Sequence, residues 1–180
     1  NELIGTEVFF SLSELRSINV YVVGAAYKPG TYTVSSLATL TNVIFSTGGP
    51  NQQGSLRNIA LKRGGKIIYT YDFYDFLLSG NTATNIRLMD GDTVFYPLLE
   101  NAVRIDGSVR RPGKFEIRPG DTLEDVIKYS GVKNKAESRV EFSRYEKSLN
   151  QRQVNLFDEL TDINSKLLLD GDSINILSSS

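Results

Sequence analysis

Apolar residues come in short runs along the chain, each ended by glycine, proline or a charged cluster, and the order of those runs predicts the elements. Tyr21, Val22 and Val23 lead to Gly24, a Pro29-Gly30 step follows, and Tyr32 and Val34 continue beyond it, which predicts two short strands joined by a turn. Proline presets one turn position and glycine supplies the positive φ of the next. Leu37, Leu40, Ile44 and Thr47 then fall on one helical face, with serine available to cap the start and Gly48 placed to end it. Apolar and polar positions alternate from Asn58 to Arg63, Gly64-Gly65 turns the chain, and residues 66–71 return as an antiparallel strand. A helical turn at 74–78 and a last strand entered through Asp90-Gly91-Asp92 complete the set.

The same series then starts again. Gly24 matches Gly107, Pro29-Gly30 matches Pro112-Gly113, Leu40 matches Leu123 and Gly48 matches Gly131, each 83 residues on. At Asp170-Gly171-Asp172 the spacing has shrunk to 80, so the second copy is shorter in its middle loops, where deletions are tolerated best. Its helix is expected at 121–131, with Leu123, Val126 and Ile127 as the apolar stripe and Asp121 with Glu124 at capping-box spacing. A strand at 139–144 is followed by a polar partner at 148–154, expected as an exposed edge, and a helical turn at 157–160. The fold class is therefore α+β: two tandem β-grasp-like domains, each a mixed sheet with one main helix and a short second helical turn. The expected divisions are an N-terminal arm at 1–18, a first domain at 19–98 and a second at 99–180. Val8-Phe9-Phe10-Ser11-Leu12 in the arm is expected to add a strand to the first domain or to pair with a further domain. The joint from Leu98 to Ala102 is too short for free tumbling and predicts a fixed but bendable tandem.

Composition removes whole classes of chemistry. The 180 residues carry 20 basic and 21 acidic side chains for a net charge of −1, with 7 basic and 7 acidic up to residue 97 and 13 and 14 beyond it, so neither half is a basic module and no long-range field favours nucleic acid or an anionic membrane. Histidine and cysteine are both absent. That excludes Ser-His-Asp and Cys-His nucleophile systems, thiolate or imidazole zinc sites, iron–sulfur clusters and disulfides. Carboxylates and lysines remain for acid–base work, so catalysis is disfavoured without being forbidden. The lack of cysteine fits an oxidising compartment. No apolar run reaches the roughly 18 residues of a membrane-spanning helix. The chain begins at Asn1 and its one methionine is Met89, so it reads as a fragment or processed chain whose targeting signal lies outside it.

Few side chains stand out as chemistry. Asp90, Gly91, Asp92 and Asp170, Gly171, Asp172 lack the further oxygen ligands of a twelve-residue calcium loop and read as turn formers. Asp72 and Asp75 have the spacing of a carboxylate pair for glycoside hydrolysis, and equally that of an aspartate capping a short helix, which is the preferred reading. Arg110 and Arg111 present two guanidiniums at a turn, either solvated or holding an anionic sugar or a neighbouring chain's carboxylate. Most of the nine tyrosines and nine phenylalanines fall in the first 97 residues. Tyr27, Tyr69 and Tyr71 are the candidates to face a partner or to stack on sugar rings, with strand packing as the plain alternative.

Gly24 or Gly107, then Pro-Gly, then x-aromatic-x-aliphatic, a glycine-ended helix, and Leu-x-Asp-Gly-Asp before the last strand together resemble the soluble ligand-binding β-grasp domain, known as SLBB. The likeness runs over residues 20–96 and again over 103–177. The first copy, with Val22-Val23-Gly24-Ala25-Ala26-Tyr27-Lys28-Pro29-Gly30 and Leu56-Arg57-Asn58-Ile59, is similar to tandem copies in polysaccharide biosynthesis and export proteins of Gram-negative bacteria. That resemblance implies a non-enzymatic periplasmic module, associated with the outer membrane, that self-associates and meets an inner-membrane co-polymerase during capsule or exopolysaccharide export. The family's separate N-terminal export domain is missing from this sequence. The rival expectation is a module that binds a saccharide or small ligand in a groove.

Overall fold

The computed structural model describes residues 16–81, 86–133 and 138–178. The expected strand at 8–12 lies outside the described residues. Two sheets of five strands are built in the same order. In the first, β1 (Ser17–Gly24), β2 (Gly30–Ser35), β3 (Ile59–Arg63), β4 (Lys66–Tyr71) and β5 (Thr93–Tyr96) are arranged β2-β1-β5-β3-β4. In the second, β6 (Ala102–Gly107), β7 (Gly113–Glu116), β8 (Ser138–Glu146), β9 (Gln151–Phe157) and β10 (Ser173–Ser178) are arranged β7-β6-β10-β8-β9. Both sheets are mixed: β1 with β5 and β6 with β10 run parallel, the other pairs antiparallel.

One face of each sheet carries a core because strand side chains alternate. Val20, Val22, Ile59, Leu61, Val94 and Tyr96 meet Leu40, Val43 and Ile44 of helix α1 (Leu40–Thr47). Val103, Ile105, Val140, Phe142, Ile174 and Ile176 meet Leu123, Val126 and Ile127 of the later helix at Leu123–Ser130. Between them in the chain, α2 (Phe73–Ser79) is the short helix of the first module, and α3 is the Leu123–Ser130 helix. The second module has only a 3-10 turn, Leu160–Asp162, where the first has α2, because β9 extends to Phe157 and uses up the residues expected to start a helix.

Both main helices start later than the periodicity suggests. Thr39 caps α1 in a reciprocal box with Asn42, leaving Leu37 exposed ahead of it. In α3 the box is Thr122 with Asp125, whose carboxylate accepts from Thr122 N and Oγ1 at 2.9 Å each. Asp121, expected in that role, is engaged elsewhere. The Asp-Gly-Asp steps have one job in both modules. Asp90 and Asp170 accept from the backbone of Asn19 and Ala102 at 2.8 Å, while buried Asp92 and Asp172 hold Arg63 and Arg144 in two-pronged ion pairs of 2.7–2.8 Å. Each step thus ties the last strand's entry to the first and third strands of its sheet.

Candidate functional site

The loop at 51–58 of the first module is where the two modules meet. Gly54 brings it close to the chain behind, since a Cβ there would stand 2.5 Å from Ala25 O and 2.6 Å from Pro50 Cβ. The linker lies along this loop, with Ser55 N donating to Pro97 O at 2.9 Å and Leu99 N to Gln53 O at 2.7 Å. The joint is therefore hydrogen-bonded to the first module.

The second module attaches through Glu116, the last residue of β7. Its buried carboxylate accepts from Ser55 Oγ at 2.5 Å, Leu56 N at 2.8 Å and Arg57 N at 3.1 Å. Its own backbone N–H donates to the Tyr74 hydroxyl at 2.9 Å, so a residue of α2 covers part of the β7 edge. Arg57 follows at once. Its side chain is 7% exposed and reaches Asp72 of the first module at 3.1 Å and Asp121 of the second. The guanidinium also lies 5.3 Å from the Tyr74 ring centre and 5.6 Å from that of Tyr129, and those two rings meet edge to face at 5.3 Å. Arg118 closes the cluster, pairing with Asp72 at 3.1 Å and donating to the Arg57 carbonyl.

Burial pulls the Arg57 pKa down, but Asp72, Tyr129 and Asp121 more than offset it and hold it above its ordinary value. Burial likewise pushes the Tyr74 and Tyr129 phenols up. The Arg57 guanidinium therefore stays charged and the two phenols neutral at physiological pH. The cluster is suited to holding two bodies together and poorly suited to passing protons. Asp72 also accepts from Tyr74 N at 3.0 Å as the N-cap of α2, and Asp75 accepts from Ser79 and Asn81. Asp72 is thus accounted for by the cap and its ion pairs, and Asp75 by the hydrogen bonds at the end of α2.

Beside the cluster runs a groove of about 630 Å³ whose walls include Tyr74, Leu78, Arg111, Lys128 and Tyr129. The structure separates the two turn arginines. Arg111 enters this groove, whereas Arg110 lays its stem over Gly131 at the end of α3. The candidate tyrosines part as well. Tyr27 is 62% exposed and rests on Gly48. Tyr69, opposite Leu61, is half-buried on the core side. Tyr71 corrects the expectation: opposite Ile59, it is 3% exposed in the core with its hydroxyl 3.3 Å from Thr41 Oγ1, so its register turns it away from any partner. Gly24 and Gly107 end β1 and β6 at φ +82° and +86°. Gly30 and Gly113, after Pro29 and Pro112, open β2 and β7 at φ +159° and +149°, closer to extended strand than to a tight turn.

Sequence reasoning did not single out Arg57, Glu116, Asp121, Tyr74 or Tyr129 for this role. The signal available was asymmetry between copies: Glu116 and Asp121 fall where the first copy has Thr33 and Ala38.

Residues 19–95 match a family model described as SLBB domain, and residues 102–146 match a second model of the same description. The chain belongs to the SLBB-domain family and carries two of its domains in tandem. Two curated relatives, both named polysialic acid transport protein KpsD of Escherichia coli, are 27% identical over 147 residues, covering 72% of this chain and 26% of the relative. The chain thus spans about a quarter of the length of these relatives. Among the described residues no helix is long and apolar enough to cross a membrane.

Proposed function

We propose that this chain is a non-enzymatic periplasmic part of a polysaccharide export protein, outer-membrane associated in its parent, that works by assembly. The likeness to a polysaccharide transport protein sets the process. The observation that carries the mechanism is the buried Arg57 cluster, which joins residues of both modules and the linker into one fixed unit. A unit of fixed angle presents its surfaces in one arrangement, which is what a closed ring of subunits requires. Among the described residues β2, β4 and β9 are sheet edges, and Ile67, Ile68, Val154 and Leu156 are exposed on β4 and β9. These edges and side chains are the surfaces for neighbouring copies and for an inner-membrane co-polymerase.

The test is Arg57→Ala in the full-length parent. The expected result is loss of the assembled species on crosslinking and of glycan at the cell surface, at unchanged protein level. Full export from a parent whose modules have come apart would overturn the reading.

A further inference from the structure

The helix-free face of the second sheet bears a row that includes two cations, with a third reaching into it. Lys114, Arg104, Ser173, Ser143 and Val154 are successive cross-strand partners over all five strands, a span of about 19 Å at ordinary strand spacing. Arg152, two residues along β9 from Val154, leans back into the row. Its guanidinium donates to Ser143 Oγ at 2.9 Å and to the carbonyls of Ser143 at 3.4 Å and Gly171 at 3.3 Å. All three acceptors are neutral, so the cation is positioned, and it makes no ion pair among the described residues. Lys114 makes no ion pair among the described residues. Arg104 pairs with Asp106 and is still two-thirds exposed. Asp172 lies beneath the row, but Arg144 and the Leu169 N–H hold its buried carboxylate.

Lys114, Arg104, Ser173, Ser143 and Arg152 line a groove of about 370 Å³, with Asp172 at its floor. The adjacent row on the same face, Asp106, Asn175 and Glu141, is acidic, so the face is polarised and an anionic chain lying on it is confined to the cationic row. Lys114 also lines the concavity at the module junction next to Tyr74, so the cations continue around the β7 edge. The corresponding row of the first sheet is Thr31, Tyr21, Thr93, Lys62 and Ile67, with its one cation 4.2 Å over the Phe95 ring. One architecture is therefore stable with either row, and the charges of the second call for a ligand.

We propose that this row binds an acidic glycan, a chain of sugars bearing carboxylates, with Lys114, Arg104 and Arg152 on the carboxylates and Ser143 and Ser173 beside the sugar hydroxyls. The inference rests on the export reading and names the class of cargo. Spaced cations with hydroxyls between them suit a flexible chain of low charge density.

The test titrates this chain with oligomers of polysialic acid, of hyaluronan and of neutral dextran, read by calorimetry and by amide chemical shifts. The carboxylate oligomers are expected to bind with salt-dependent affinity and to shift residues along the row, and dextran to do neither. Lys114→Gln with Arg152→Gln should weaken binding about tenfold or more, against less than about twofold for the equal charge loss of Lys66→Gln with Arg139→Gln. Thermal unfolding checks that each variant is folded. Should Arg152→Gln disturb the sheet, Lys114→Gln alone is expected to cost about threefold. Dextran binding equally well, both double variants weakening binding alike, or no binding by any oligomer would each overturn the inference. Surface glycan from the Arg57→Ala parent judges the export reading separately, so the two can fail independently.

Discussion

Gly107 and Gly171 both have φ above +80°, yet replacing them has different consequences. A Cβ on Gly171 meets nothing within 4 Å, so Gly171→Ala adds only the left-handed backbone cost, about 1 kcal/mol. At Gly107 the same carbon collides with the Ile176 carbonyl of the parallel partner strand. Gly107→Ala is expected to cost about 3 kcal/mol or more in urea unfolding, and a cost equal to that of Gly171→Ala would contradict this packing. Asp125 gives a pH-dependent signature. Backbone hydrogen bonding from Thr122 holds its carboxyl below the ordinary 3.8. A depressed folded pKa contributes stability that is complete above the unfolded value and fades as pH falls through the folded one, so the contribution is lost below about pH 4. Asp125→Asn should flatten the acid limb of the stability profile in that window and leave the slope above pH 5 unchanged. Tyr96 offers the opposite kind of test. Its phenol, pushed up to about 12 by burial, has no hydrogen-bond partner of good geometry among the described residues, and the Thr47 hydroxyl nearby already donates to Val43 O. Tyr96→Phe is expected to change thermal stability by less than about 1 kcal/mol, because no bond is broken.

At the level of elements, the repeated Asp-Gly-Asp clamp does most to hold each sheet's order. Asp172→Asn removes one side of a two-pronged pair whose aspartate is wholly buried and leaves Arg144 without its anion. The expected cost is about 3 kcal/mol. Asp92→Asn should act alike on the first module alone, visible as earlier exchange of β5 amides. Element order, repeat and turn positions were legible in the sequence because they rest on local patterns: apolar alternation, glycine at helix ends, and Asp-Gly-Asp before a strand. Helix starts were displaced by a turn or less, since Thr39 and Thr122 compete with neighbouring serine and aspartate for the cap and only tertiary contacts decide. Asp121 was drawn away by Arg57, 64 residues distant in sequence. Tyr71 was misplaced for a related reason: strand register determines which face a tyrosine takes, and one sequence read alone does not define it.

For the whole molecule, the candidate site is made of long-range pairs, which is why local patterns did not reveal it. Glu116 reads as one more strand-end acid until the loop at 51–58 is folded against it. Arg57→Ala leaves Asp72 with Arg118 alone and Asp121 without its ion-pair partner, and breaking such a buried pair costs about 3–5 kcal/mol. Most of that loss falls on the contact between modules, because each module keeps its own core.

Residual dipolar couplings measured on both modules in one aligned sample test the fixed tandem most directly. The account predicts that residues 17–96 and 102–178 report a single alignment tensor, and that Arg57→Ala splits it into two while each sheet's internal couplings are preserved. Two unrelated tensors in the unaltered chain would contradict it.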